Sequence, residues 1–152
     1  MVLIKRLKNF IKEYKLNRKT DRALSRKSKG ESVLSEEAQR WNRFIYEVCD
    51  RDINTLSEIQ KNAVLCFGYD AEMNSGGHSG YFECYPDTVP QELVDAIIAV
   101  SYKAIADNYL KALNEGEKDG WIETDGAYYG FSPSLGDCLE EYVENHKDVI
   151  FI

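Results

Sequence analysis

Apolar residues in this chain recur every three or four positions, in segments cut by glycine, proline and capping residues rather than in strict alternation. Ala38, Trp41, Ile45 and Val48 form one stripe, Ile59, Ala63, Val64 and Phe67 a second, and Leu93, Ile97, Val100, Ala104 and Ile105 a third. Leu139, Tyr142 and Val143 form a fourth. This period turns one side of each segment toward a shared core and predicts an all-α fold, a predominantly helical single-domain bundle. Ser35 followed by Glu36 and Glu37 starts a helix over residues 36–49, and Thr55 with Glu58 reads as a capping box for the next. Pro90 suits the first turn of a long helix ended by Asn114 and Gly116, and Pro133 precedes a last helix reaching His146. "KDGWIETDGAYYGFSPS", rich in glycine and aromatics, leaves room for a short strand pair near residues 121–131.

At 152 residues and 43% hydrophobic, the chain has material for one compact core. No apolar run approaches the roughly 20 residues of a spanning helix, and lysines interrupt the N-terminal segment where a secretory signal needs an unbroken apolar centre. Cys49, Cys66, Cys84 and Cys138 are scattered without a pairing pattern, as expected of reduced, mostly buried thiols. A cytoplasmic location follows as the expectation.

Charge divides the chain. Residues 1–30 hold eleven Lys or Arg against Glu13 and Asp21, a net +9, whereas residues 31–152 carry −16. The division predicts a basic amphipathic arm and linker over 1–30 and an acidic helical domain over 31–152. In the arm, Leu3, Leu7, Phe10, Ile11 and Tyr14 lie at helical spacing, with lysines largely on the other faces. Such an arm has three uses: lying on an anionic membrane surface, binding nucleic acid, or docking on the acidic domain of its own chain or of a homodimer partner. Five large apolar residues are few for a membrane, and the acidic domain repels phosphates, so docking is expected and direct nucleic-acid binding is not.

"EMNSGGHSGYF" interrupts the helical pattern at Glu72–Phe82. As a phosphate cradle it lacks the Lys-Ser/Thr ending and the strand-loop-helix context. As a metal site, Glu72, His78 and Cys84 are ligand types whose spacing on a turn does not converge. A Cys-His hydrolase would pair His78 with Cys66 or Cys138, the ring oriented by Asn74 or Asp70. A structural turn needs fewer assumptions: Gly76 and Gly77 supply positive φ, Asn74 bonds forward to its own backbone, and Tyr81 and Phe82 enter the core. On that reading His78→Phe is tolerated, and neither metal nor cofactor is required.

The sequence Glu72-x-Asn74-x-Gly76-Gly77, followed by Tyr81 and Phe82, resembles the motif of the bacterial DNA-mimic protein family, Glu-x-Asn-Asn-Gly-Gly-Phe and then Gln-Tyr-Phe. Ser75, His78 and Gly80 depart from it. The likeness runs on through Asp125, Tyr128, Tyr129, Leu139 and Tyr142, covering about residues 33–148 and leaving out the arm. It implies an acidic helical protein that imitates the charge of duplex DNA and occupies a basic, DNA-binding surface of a partner protein.

The resulting expectation is a non-enzymatic acidic protein-binding module, with an immunity-like antagonist of a basic toxin as a special case and the Cys-His hydrolase as the alternative. The candidate surface comprises Glu36, Glu37, Glu47, Asp50, Asp52, Glu115, Glu117, Asp119, Glu140, Glu141 and Glu144. The competing view is that these acids are solvated helix faces.

Overall fold

The computed structural model describes residues 34–152; the arm, its apolar stripe and its linker lie outside the described residues. Eight α-helices, and no strand, make up the described chain: α1 Glu36–Arg43, α2 Glu58–Met73, α3 Gly77–Cys84, α4 Pro90–Val100, α5 Lys103–Glu115, α6 Ile122–Gly130, α7 Leu135–Asn145 and α8 Lys147–Ile150. The all-α expectation holds.

Helix α2 is the hub, packing against α3, α4, α7 and α8, while α5 lies on α4 and α6 on α5. It can take that place because its apolar residues wrap more than one face: Ala63, Cys66, Tyr69 and Met73 are fully buried, with Val64 and Phe67 nearly so. Phe44, Ile45 and Val48 close the core from the chain's first rod, Leu93, Ala96 and Ile97 from α4, Ile105 and Tyr109 from α5, and Leu135, Leu139 and Val143 from α7. All four cysteines are free thiols, three of them buried.

Four boundaries differ from expectation. The first rod is α-helical only to Arg43 and continues as a single π turn, Phe44–Val48, in which the Cys49 amide reaches back to the Phe44 carbonyl at 3.1 Å. The capping box belongs to Ser57 and Gln60 rather than Thr55 and Glu58. Ser57 Oγ accepts from the Gln60 amide and Gln60 Oε1 accepts from the Ser57 amide, while Asp52 organises the preceding 3-10 turn Ile53–Thr55.

The long helix from Pro90 breaks at Ser101 and Tyr102, because the Ser101 hydroxyl joins its own amide on the Ile97 carbonyl and Tyr102 turns extended to reach the Pro133 carbonyl. The strand pair expected at 121–131 is instead helix α6. Its start is fixed by Trp121 in a left-handed conformation and by Asp119, whose carboxylate accepts from the Glu123 amide. Local aromatic content gave a β signal there that the N-terminal cap overrides.

Burial separates residues that the sequence ranks alike. Leu139→Ala, at a fully buried site, should lower stability by about 2–5 kcal/mol, whereas Ile122→Ala, at a position 76% exposed, should stay within about 0.5 kcal/mol. Urea unfolding of the two variants checks the contrast.

Candidate functional site

The "EMNSGGHSGYF" stretch is a corner between α2 and α3. Helix α2 ends as the Asn74 side chain donates back to the Asp70 carbonyl at 2.8 Å, not forward as the turn reading had it. The Ser75 and Gly76 amides both reach the Glu72 carbonyl. Only Gly77 has positive φ, at 66°; Gly76, at −120°, is small for another reason, since a Cβ there would meet the Gly80 Cα at 3.2 Å. A Cβ on Gly77 would fall 2.4 Å from Asp125 Oδ2. Helix α3 then begins at once, so Tyr81 and Phe82 enter the core from a helix; Tyr81 is buried and Phe82 half-buried.

Asp125, brought over by α6, makes the corner possible. Its Oδ1 accepts from the His78 backbone amide at 3.0 Å and from His78 Nδ1 at 2.7 Å. A carboxylate can only accept, so the neutral ring carries its proton on Nδ1 and Nε2 accepts from the Tyr69 hydroxyl at 2.6 Å. Burial holds the His78 pKa below the ordinary imidazole value against the opposing pull of Asp125, and pushes the Tyr69 phenol up. Beside this chain runs a second one in which the Tyr128 hydroxyl donates to Asp70 Oδ1 and the Tyr129 hydroxyl to the Met73 carbonyl. Burial raises the Asp70 carboxyl against the hydrogen bond from Tyr128. Tyr69 sits edge-on to Tyr81, Tyr109 and Tyr128, so each phenol contributes apolar area to the core and most send the hydroxyl to a partner.

Every hydrogen-bond partner of the His78 ring is a side chain of the helical core's own elements. His78 has no exposed surface and both ring nitrogens are engaged, and neither partner is a cysteine. Cys66 is fully buried and its thiol is pushed far up by burial, with Asp70 adding to the effect, which is the reverse of nucleophile activation. The geometry therefore does not assemble the Cys-His pair. Among the described residues no group of three or more His, Cys, Asp or Glu is placed to hold a metal ion.

The candidate acids separate into distinct settings. Glu47 pairs with Arg43 at 3.1 Å, Glu36 lies 3.6 Å from Arg40, and Asp52 is spent on the Asn54 amide. Glu115 and Asp119 line a small depression together with Lys111 and Lys118, with Glu117 on the adjoining 3-10 turn and Asp50 exposed between α1 and α2. Glu37, Glu140, Glu141 and Glu144 come together in a groove of about 580 Å³ between α1 and α7, floored by Ala38, Trp41 and Val143. Arg40 holds the two helices with a two-pronged bond to Glu144, at 2.7 and 2.6 Å.

Asp137 joins the groove although sequence reasoning passed it over; its position one turn before Glu140 and Glu141 was the available signal. Burial, with Asp137 and Asp70 as like-charged neighbours, pushes the Glu140 carboxyl above its ordinary value. Glu37, Asp137, Glu140 and Glu141 have no ion-pair partner among the described residues, in contrast to Glu36, Glu47 and Glu144.

An all-helical scaffold with a buried, doubly bonded histidine and with five of its acids lining one surface groove is the class this geometry defines. The chain belongs to the DMP19-like protein family, whose model matches residues 54–148, a span that contains the whole corner and all of α7 but not α1. No curated protein and no solved structure gives a significant match. Among the described residues, no helix is long and apolar enough to cross a membrane.

The corner geometry reverses the expected tolerance of His78→Phe. Phenylalanine would orphan the buried Tyr69 hydroxyl and one carboxylate bond of Asp125, at about 1–3 kcal/mol per buried unsatisfied group, so a lowered melting temperature is expected. Gly77→Ala should cost more than about 1 kcal/mol and exceed Gly76→Ala, since only the former combines positive φ with overlap on Asp125.

Because the folded state resists protonating His78 while the unfolded chain does not, this residue's contribution is intact above the ordinary imidazole value and is lost as pH falls below it. Asp70 and Glu140, both raised, act with opposite sign, returning stability as pH falls toward the ordinary carboxylate value. The urea midpoint should fall between about pH 7.5 and about pH 5.5, and His78→Gln should flatten that slope.

Proposed function

We propose that this chain is a non-enzymatic acidic protein-binding module whose α1–α7 groove receives a basic surface of a partner protein, of the kind that otherwise holds DNA phosphates. The observation that carries the reading is the set of four carboxylates in the groove, Glu37, Asp137, Glu140 and Glu141, that lack cations among the described residues. Solvated acids on helix faces ordinarily stand among lysines and arginines, as Glu47 and Glu123 do here. Four like charges in one groove lower the potential together and attract a basic segment more strongly than scattered acids do.

Spacing defines how far the resemblance to DNA extends. Asp137, Glu140 and Glu141 put three charges into five residues of α7, about one per ~2.5 Å of helix axis against one per ~1.7 Å of duplex axis, but over little more than a single turn. Glu37 on the facing helix adds a second row across the groove. The patch thus matches a short piece of backbone and suits a partner contact of a few Lys or Arg rather than a long duplex-binding channel. The resemblance to the DNA-mimic family implies a binding role, and the family model itself names neither a function nor a partner.

The test uses a DNA-binding protein captured by the full chain from its native lysate. Its affinity should fall at least about tenfold between low and physiological salt, duplex DNA should displace it, and Glu140→Lys with Glu141→Lys should abolish capture. A partner whose affinity is flat across that range, or that holds DNA and this chain together, removes the physical basis of the reading.

A further inference from the structure

The groove has an apolar floor as well as acidic walls, and the chain supplies a segment of matching character. Ser35 and Glu37 line the groove, so the chain leaves the described domain at the groove's own edge. The 33 residues before Leu34 hold an apolar stripe, including Leu7 and Phe10, and a large excess of Lys and Arg. We infer that the α1–α7 groove is the docking site of this chain's own basic segment, residues 1–30, which occupies it in cis and which a partner's basic surface must displace.

Three physical arguments favour this occupant, and all rest on the groove being a receptor for basic segments as proposed above. The first is charge: net +9 in the segment against four carboxylates without cations in the groove. Glu140 adds to it: burial first, and then the like charges of Asp137 and Asp70, hold its carboxyl above the ordinary value, and a nearby ammonium would relieve the part due to those charges.

The second is tethering. Twenty residues, 15–34, separate the stripe from the groove's edge, and a coil of that length spans roughly 25 Å root-mean-square, longer than the roughly 16 Å of an eleven-residue helix such as α7, so the chain length suffices for the stripe to reach the groove at an effective concentration on the order of millimolar. The third is desolvation: the floor at Ala38 and Trp41, neither fully buried, gains cover from the same residues that would otherwise expose Leu7 and Phe10 to water. A membrane or a nucleic acid meets the stripe or the charge, but faces repulsion from the domain's −16.

Zero-length carbodiimide cross-linking of the full chain, with light and heavy isotopic copies mixed, tests the inference. Lysines of residues 1–30 should join Glu37, Asp137, Glu140 or Glu141 within one copy, with a yield that drops about fivefold or more in high salt. Glu140→Gln with Glu141→Gln should speed tryptic cleavage within residues 1–30 about fivefold or more. Cross-links spread evenly over the domain, Glu115 and Glu117 included, overturn the inference, as do links joining light to heavy copies, which would assign the groove to a neighbour's segment.

An oligolysine peptide separates this claim from the broader one. If it binds the native chain but not the Glu140→Gln, Glu141→Gln variant while no segment cross-links form, self-docking fails and the binding module stands. If it binds both equally, both readings fall.

Discussion

One carboxylate organises the molecule. Asp125 accepts two bonds from His78, one from the backbone and one from the ring, and so ties the α2–α3 corner to α6, 47 positions along the chain. Without it, the second amide of α3 would face the interior without an acceptor, and the imidazole would have no partner to fix its tautomer. Through His78 the same carboxylate fixes the Tyr69 hydroxyl, and Tyr69 is the ring around which Tyr81, Tyr109 and Tyr128 pack. The polar chain and the aromatic core are therefore one structure, and the hub helix α2 holds its register through both.

What the sequence disclosed followed from periodicity and composition. Stripes at helical spacing located the helices carrying Ile45, Phe67, Ile97 and Leu139, and paired glycines marked the corner. What it withheld depended on partners distant in sequence. Nothing local to His78 announces Asp125 or Tyr69, so histidine in a glycine-rich stretch looked first like chemistry and then like a replaceable aromatic. Gly76 and Gly77 look identical in sequence, yet one is required by close approach to Gly80 and the other by φ and by Asp125. Ser101 ended a helix that its apolar pattern continued through, because a hydroxyl competing for a carbonyl leaves no trace in hydrophobic spacing. The acids were readable as a set but not as a groove, since only packing of α1 on α7 decides which of them meet.

The acids stand in two kinds of setting. Asp125, Asp70 and Asp119 are consumed inside the fold, accepting from a histidine, a tyrosine and a helix amide. Glu144 is intermediate, neutralised by Arg40 where it fastens α1 to α7. Glu37, Asp137, Glu140 and Glu141 are left with the electrostatic cost of proximity and no compensating cation among the described residues, and a protein is more stable with such a cost relieved. Some carboxylates are thus built into the order of the fold, and others stand on its surface without a counter-charge among the described residues.

The collision that a Cβ on Gly77 would have with Asp125 makes the two positions interdependent. A side chain at position 77 displaces the carboxylate that caps the corner, and loss of the carboxylate leaves the corner's glycine guarding an empty place. A change at either position therefore loosens the same corner, which makes one local constraint of two residues 48 positions apart in the chain.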